Sequence, residues 1–161
     1  SKFKPAHKRA IKKAIQNDVK VHRSKDFKSF YEILKNNLKI RHGVKPTHTI
    51  DELLSLQKLF PNRCVLFGAY LKGKMISGVV NFVINDHVIL AFYISHNEEY
   101  SEYRSVNLLF YKIFEWAVEI GCHVYDFGTF TVNGEPNMGL GRFKENFGAS
   151  GIFRDIIEVT L

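Results

Sequence analysis

Two charged side chains, Asp126 and Lys144, lie in the parts of the sequence whose residue types best suit chemistry. Asp126 belongs to the segment Tyr125-Asp126-Phe127-Gly128, and Lys144 belongs to the segment that runs from Gly141 to Gly148. A carboxylate can accept a proton or orient an amine, and an ammonium can stabilise the charge of an oxyanion. Each residue also has a structural interpretation, because a strand-end aspartate can cap a loop and a lysine can sit on a helix surface.

Other kinds of catalytic site find little support in the sequence. The chain has 7 histidines, but none is paired with another histidine or a cysteine at ligand spacing, so we predict no metal site. It has no Gly-x-Ser-x-Gly motif, and we do not expect nucleophilic catalysis. Gly139-Leu140-Gly141 lacks the third glycine of a dinucleotide fingerprint, and we interpret it as part of a flexible loop that closes over a site.

The bulk composition predicts a single globular domain. The chain has 161 residues, 45% of them hydrophobic, which is enough to form a core. The two cysteines, Cys64 and Cys122, are far apart in the sequence, which favours reduced thiols and a cytoplasmic location. Since no apolar run approaches the length of about 20 residues that a membrane span needs, we do not expect a transmembrane protein. Nothing resembles a signal peptide.

Positive charge is concentrated near the beginning of the chain. The formal net charge is +7, and much of the excess comes from the basic residues Lys4, Lys8, Arg9, Lys12 and Lys13. A basic patch of this kind can bind RNA, anionic lipid or a phosphorylated ligand. A solvated basic helix face is the equally simple alternative.

The elements that must position these side chains follow from the hydrophobic pattern. Helical spacing predicts helices near residues 8–15, 27–38, 50–60, 105–120 and 142–147, and alternation predicts strands at 19–23, 63–71, 75–84, 88–95, 123–130 and 152–161. Thr49 and Glu52 form a capping box, Ser105 is predicted to cap the long helix, and Gly121 to end it. This order predicts an α+β fold with a mixed, mainly antiparallel sheet and helices on both faces. The same order is that of the GNAT acyltransferase fold.

Several short motifs carry a more specific resemblance. They are Asn107-Leu108-Leu109 and Glu115-Trp116-Ala117 in the long helix, then the segments Tyr125 to Gly128 and Gly141 to Gly148. In this order and spacing they resemble the Fem family, aminoacyltransferases that build peptidoglycan cross-bridges, and the related FemAB-like proteins of the GNAT superfamily. The resemblance spans the whole chain.

Full Fem-type enzymes carry two GNAT-like domains, whereas this chain is long enough for one. The leading helix looks like the segment that joins the two halves in that family. We therefore expect a basic leading helix at residues 1–18 and a single GNAT-like domain at residues 19–161. The first domain is then either cut away or was never present.

The resemblance implies a role for three residues. The pair Phe143-Lys144 would place a lysine beside the transferred carbonyl, where its charge stabilises the oxyanion of a tetrahedral intermediate and Phe143 positions it. Asp126 would lie where a GNAT sheet splays open and would orient the attacking amine. Direct transfer in a ternary complex suits this superfamily.

The resemblance also implies a binding region for the acyl donor. Tyr93 and Ser95 end the strand that lies against the donor's arm in this superfamily, while Arg104, Asn107 and Arg142 are candidates for binding the donor or its phosphates. GNAT enzymes that use acetyl-CoA usually have a glycine-rich turn before the long helix, but no glycine lies between Gly78 and Gly121. This difference favours aminoacyl-tRNA as the donor over acyl-CoA, and no tightly bound cofactor is expected.

Three functional hypotheses follow. The first is an acyltransferase that moves an acyl or aminoacyl group to an amine of a cell-envelope or peptidoglycan precursor, with possible RNA contact through the leading helix. The second is an N-acetyltransferase that uses acyl-CoA. The third is a catalytically inactive GNAT-like module that binds RNA or a protein partner.

Overall fold

We describe the protein from a computed structural model, which covers residues 3–132 and 134–153 together with residues 157 and 159. The predicted helices form with small shifts at their ends. They are α1 (Pro5–Gln16), α2 (Phe27–His42), α3 (Ile50–Leu59), α4 (Ser105–Glu119) and α5 (Met138–Glu145), with a short 3-10 helix at Glu98–Tyr103.

The strands form one five-stranded sheet and one small hairpin. The large sheet has the order β1 (Lys20–Ser24), β2 (Cys64–Leu71), β3 (Lys74–Val83), β4 (Val88–His96) and β5 (Val124–Asp126), and the hairpin joins β6 (Thr131–Val132) to β7 (Glu135–Pro136). Neighbours in the large sheet are antiparallel except for β4 and β5, which are parallel. The prediction of a mixed, mainly antiparallel sheet is therefore confirmed.

Helices cover both faces of the sheet, also as predicted. On one face α1 and α4 bury a core that includes Ile11, Leu109 and Ile113, and on the other α2 and α3 bury Phe30, Leu34 and Leu53. Because strand side chains alternate between the faces, adjacent residues of β3 enter different cores, with Val79 under α4 and Val80 under α2.

The leading helix contributes to the first core. Ile11 and Ala14 are buried, while the basic residues between them are exposed. Near its start, the His7 imidazole lies against Phe147, with the ring centroids 4.5 Å apart, and the Asn107 side chain contacts His7 Nδ1 at 2.7 Å. The helix is thus packed along α4, and the division of the chain at residue 18 stays a prediction.

The helix ends explain where the chain turns. Asp26 accepts a hydrogen bond from the Ser29 amide, and Gly43 adopts a left-handed conformation after α2, as its position in the sequence suggests. The predicted capping box forms, since the Glu52 amide donates to Thr49 Oγ1 and the Thr49 amide donates to Glu52 Oε2. These caps fix the two ends of the loop between α2 and α3.

Three sequence predictions need correction, and a fourth cannot be compared over its whole length. Arg104, in a left-handed conformation, precedes α4, and Ser105 is the first helical residue instead of the cap. The strand predicted at 123–130 is only three residues long, and the helix predicted at 142–147 begins four residues earlier because Asn137 caps it through the Leu140 amide. Most of the strand predicted at 152–161 lies outside the described residues.

Candidate active site

The parallel strands β4 and β5 part soon after they begin. Their pairing runs from Val88 opposite Val124 to Leu90 opposite Asp126, while β4 continues to His96. Within the described part of the chain, the edge of β4 from Ala91 to His96 therefore has no strand partner on this side. This part of the strand edge, without a partner strand among the described residues, is about 20 Å long at about 3.3 Å per residue.

A β-bulge marks the point where the strands separate. The register of β4 against β3 changes between Val80, opposite Tyr93, and Asn81, opposite Ala91, which leaves Phe92 as the extra residue. The bulge turns the rings of both Phe92 and Tyr93 toward the core beneath α2 and α3. Bulges commonly re-aim side chains beside active sites, and here the change coincides with the parting of the sheet.

Asp126 ends β5 and shapes the loop that follows. Its Oδ1 accepts a hydrogen bond from the Gly128 amide at 2.7 Å, and Gly128 has a positive φ of 68°. A side chain that bonds the backbone two residues on forms a tight local turn, and the positive φ suits glycine at this position. The chain consequently turns sharply away from the sheet directly after Asp126.

Lys144 is buried and holds the same loop. Only 7% of the residue is exposed, and its ammonium donates to the carbonyl oxygens of Gly128 at 2.9 Å and of Thr129 at 2.5 Å. Burial lowers the pKa of Lys144, while the nearby Asp126 carboxylate raises it. The interpretation of Lys144 as a surface lysine is therefore wrong, since α5 directs this cation inward toward the loop after β5.

Phe143 belongs to an aromatic cluster next to this cation. Its ring centroid lies 5.2 Å from that of Phe147 and 6.1 Å from that of Phe110. Phe110 also packs against Phe127, with centroids 5.1 Å apart. The rings of α4, α5 and the end of β5 thereby fix one another and set the position of Lys144.

A buried polar link joins β5 to the middle of the sheet. The Tyr125 hydroxyl donates to Asn81 Oδ1 at 2.7 Å, and the Asn81 amide nitrogen donates to the carbonyls of Val65 and Val79. Burial raises the pKa of Tyr125 well above its ordinary value, so the hydroxyl stays protonated as a donor. This link adds a specific constraint to a strand that has only three residues in the ladder.

The two β4 residues predicted to bind the acyl donor have their side chains on the face of the sheet that α2 covers. Ser95 is buried, and its Oγ lies 3.5 Å from the Ile33 carbonyl oxygen of α2. The Tyr93 hydroxyl lies 2.9 Å from Nδ1 of His48, in the loop before α3. The sequence gave no signal that His48 meets Tyr93, because the contact joins two distant segments and depends on the bulge.

The remaining predicted binding residues lie near the beginning of α4 and in α5. Arg104 is exposed and has a φ of 55°, an unusual value for a residue with a side chain. The Ser77 hydroxyl of β3 donates to Ser105 Oγ at 2.8 Å inside the protein, which fixes the start of α4 on β3. Asn107 faces His7 of α1, as described above, and Arg142 is exposed on α5.

The arrangement brings some of the predicted residues together and separates others. Asp126, Phe143 and Lys144 converge on the loop after β5, whereas Tyr93 and Ser95 line the α2 side of β4. Among the residues that the structure describes, no three histidine, cysteine, aspartate or glutamate side chains are grouped closely enough to hold a metal ion. The chemistry available is that of a cation, a carboxylate and an open strand edge.

Comparison with known protein families shows the family to which this chain belongs. A model described as an acetyltransferase (GNAT) domain matches residues 1–145. The chain belongs to the GNAT family. The GNAT fold predicted from the sequence is thereby confirmed, and residues 1–145 form a GNAT acyltransferase domain. The match includes the leading helix, which the structure shows packed on α4.

Solved GNAT-fold structures superpose on the domain at low sequence identity. FemX has a TM-score of 0.76 at 15% identity, over 91% of this chain and 54% of FemX. AAC(6')-Iy, solved with the bisubstrate analogue CoA-S-monomethyl-acetylneamine, has a TM-score of 0.64 at 13% identity, over 89% and 98% of the two chains. The aminoglycoside acetyltransferase meta-AAC0020, from an uncultured soil metagenomic sample and bound to sisomicin, has a TM-score of 0.62 at 13% identity, over 91% and 99%.

This GNAT chain spans about half the length of FemX. A search of curated proteins found no significant match. No helix in the described part of the chain is both long and apolar enough to cross a membrane.

Proposed function

We propose that this domain transfers an acyl or aminoacyl group to a primary amine, and that transfer takes place where β4 and β5 part. The observation that carries the proposal is the open edge of β4 after Leu90, next to the loop that Asp126 and Lys144 hold. An extended amide arm can bind such an edge as an added strand through main-chain hydrogen bonds. The arm would bring the activated carbonyl to the loop after β5.

Within this site, we propose that Lys144 stabilises the negative charge that develops on the carbonyl oxygen during transfer. An ammonium has three N–H donors, and the carbonyls of Gly128 and Thr129 use two of them. The third can donate to the oxyanion of the tetrahedral intermediate, in a site where burial strengthens the interaction. Phe143 keeps α5 in position through its ring contacts, and Asp126 attracts and orients the ammonium of the acceptor.

The donor's polar end would lie at the beginning of α4. The first turn of a helix offers unpaired amides that favour an anion, and Arg104 and Arg142 are exposed cations that can bind phosphate. In binding the donor, Tyr93 and Ser95 contribute through the backbone of β4, and Asn107 supports the first turn of α4 through its contact with His7. The left-handed Arg104 stands where a glycine would make the same turn without strain.

We further propose aminoacyl-tRNA as the donor and an amine of a cell-envelope or peptidoglycan precursor as the acceptor. The lack of glycine between Gly78 and Gly121, the likeness to FemX and the sequence motifs shared with Fem-type enzymes support this choice. The exposed basic face of α1, with Lys8, Arg9, Lys12 and Lys13, is suited to an RNA backbone. The reaction would take place in the cytoplasm, where charged tRNA is available.

The second candidate is an N-acetyltransferase that uses acyl-CoA. The family match to an acetyltransferase domain and the likeness to AAC(6')-Iy, which was solved with a coenzyme A bisubstrate analogue, favour it. A third, inactive module would keep the basic face of α1 as an RNA- or protein-binding surface.

One transfer assay separates the three candidates. The wild-type chain is incubated with Nα-acetyl-lysine and either radiolabelled acetyl-CoA or radiolabelled glycyl-tRNA, and amide product is measured. We expect product from glycyl-tRNA, and product from acetyl-CoA alone would select the second candidate. No product from either donor, together with tRNA binding that weakens steeply with salt, would contradict an enzymatic function and support the third.

A further inference from the structure

Tyr93 and His48 form a polar pair in the core beneath α2 and α3, on the face of the sheet opposite α4. The hydroxyl of Tyr93 and Nδ1 of His48 are 2.9 Å apart. The Phe92 ring contacts both, with centroids 4.7 Å from Tyr93 and 5.3 Å from His48. When the imidazole carries its hydrogen on Nε2, Nδ1 accepts the hydrogen bond of the tyrosine.

The backbone around His48 is held as firmly as its ring. The Tyr31 hydroxyl of α2 donates to the His48 carbonyl oxygen at 3.1 Å, and the next residue, Thr49, is the cap of α3. Among the described residues, the titratable groups that the structure places around the pair are Tyr31 and Glu52, whose carboxylate interacts electrostatically with His48. A loop residue that is fixed by three separate contacts is positioned for a defined partner.

The pair lies next to the proposed transfer site. Leu90 is paired with Asp126, and Tyr93 lies three residues further along β4, in the half that has separated from β5. The bulge at Phe92 is the reason why Tyr93 faces the α2 side here. The gap that opens after Leu90 therefore has Tyr93 on its β4 side and the loop held by Lys144 on its β5 side.

We propose that the Tyr93–His48 pair takes up the proton that the acceptor ammonium must lose before it can attack. This inference rests on the proposed function and adds the base that function needs. A proton passes from the ammonium to Tyr93 Oη while the hydroxyl proton of Tyr93 passes to His48 Nδ1. An imidazole nitrogen can act as a general base, and a tyrosine hydroxyl between the two groups can pass the proton on.

The reaction balances when the acyl donor is an ester or a thioester. The neutral amine forms a C–N bond to the carbonyl carbon, and the C–O or C–S bond of the donor breaks as the tetrahedral intermediate collapses. The leaving group takes the second proton of the nitrogen. The products are the amide, the protonated leaving group and an imidazolium at His48. In this scheme Tyr93 is the catalytic residue that touches the amine, and His48 is its proton acceptor.

Two variants test the pair without removing its packing. Tyr93→Phe keeps the ring and removes the hydroxyl, while His48→Asn keeps an acceptor oxygen near the position of Nδ1 but cannot take up a proton. Tyr70→Phe is the matched control, because the Tyr70 hydroxyl has a similar contact, 2.7 Å to Ser24 Oγ, away from the parted strands. Melting temperatures of all three report whether the fold is kept.

The variants are then assayed with the donor that the wild-type protein uses and with two acceptors, Nα-acetyl-lysine and hydroxylamine. Nα-acetyl-lysine is charged at neutral pH and must be deprotonated, whereas hydroxylamine is already neutral. We expect each pair variant to lower kcat/KM for Nα-acetyl-lysine about 100-fold, to lower it less than about threefold for hydroxylamine, and to flatten the acid limb of the pH profile. Tyr70→Phe should change none of these.

Equal losses with both acceptors, or wild-type rates and pH profiles in both pair variants, would overturn the inference. If one variant unfolds, the other still tests the inference, because the scheme requires the same acceptor dependence from each. A wild-type protein that is inactive with both donors would instead contradict the proposed function, before any variant is made. The two failures are therefore distinguishable.

Discussion

At the scale of single residues, Lys144 shows how one side chain can serve both the fold and the proposed chemistry. Its ammonium donates to two carbonyl oxygens of the loop after β5, and burial lowers its pKa. Buried lysines are uncommon unless they are paired. A lysine held in this way stabilises the loop and keeps a positive charge beside the place where β4 and β5 separate.

Replacing Lys144 should therefore affect both stability and turnover. We expect Lys144→Met, which keeps the length but not the charge, to lower the free energy of unfolding by about 1–3 kcal/mol, because two carbonyls lose their donor. We expect kcat to fall about 100-fold in the folded protein. Urea unfolding and steady-state kinetics measure the two effects.

Lys112→Met is the matched control for Lys144→Met. Lys112 pairs with Glu115 on the exposed side of α4, so we expect its loss to change stability by less than about 0.5 kcal/mol and to leave kcat unchanged. Unchanged kcat in folded Lys144→Met would limit Lys144 to a structural role.

At the scale of elements, the position of α2 depends on a glycine beneath it. Gly78, in β3, lies opposite Ser95 of β4, and a Cβ atom added there would stand 2.6 Å from Cδ2 of Phe30. Phe30 is fully buried in the core beneath α2 and α3. The close approach of α2 to the sheet therefore requires a residue without a side chain at this position.

We expect Gly78→Ala to destabilise the protein by about 1–3 kcal/mol, because the Phe30 ring must shift within a packed core. Gly139→Ala is the matched substitution in α5, where the nearest atom to an added Cβ is 3.4 Å away and alanine favours the helix by about 1 kcal/mol. Thermal unfolding of both variants measures the difference. Equal melting temperatures would contradict the packing described for Gly78.

The elements also show what the sequence could predict and why the rest was hidden. Periodicity and capping residues are local, so α3 and the strands β2, β3 and β4 were predicted to within about one residue at each end. From the sequence we predict a strand through Phe130, but the turn that Asp126 and the positive φ of Gly128 form ends β5 first. The inward direction of Lys144 and the contact of His48 with Tyr93 depend on segments far apart in the sequence, and the candidate site was predicted only in part.

At the scale of the whole molecule, buried imidazoles give the fold a defined pH response. Burial lowers the pKa of His7 and of His96 below 6.5, with Lys4 also lowering that of His7. The unfolded chain therefore binds more protons than the folded chain just below pH 6.5, and stability is lost as the pH falls through this window. The carboxylates with lowered pKa values, such as Glu98, respond only below about pH 4.5.

We expect the free energy of unfolding to decrease between pH 7 and pH 5.5, by at most about 1.4 kcal/mol per pH unit for each histidine. Urea unfolding at several pH values measures this slope, and His7→Gln should make it shallower. A free energy of unfolding that rises as the pH falls across this range would show that the buried imidazoles are not neutral in the folded protein.

For the whole molecule, our central claim is that the acyl group is transferred in the gap between β4 and β5. The most direct measurement uses the active donor with a photoreactive acyl group, followed by illumination and peptide mapping of the labelled residues. The account predicts labels on β4 between Ala91 and His96 and on the loop from Asp126 to Phe130. Labels confined to other surfaces, such as the exposed side of α2, would contradict it.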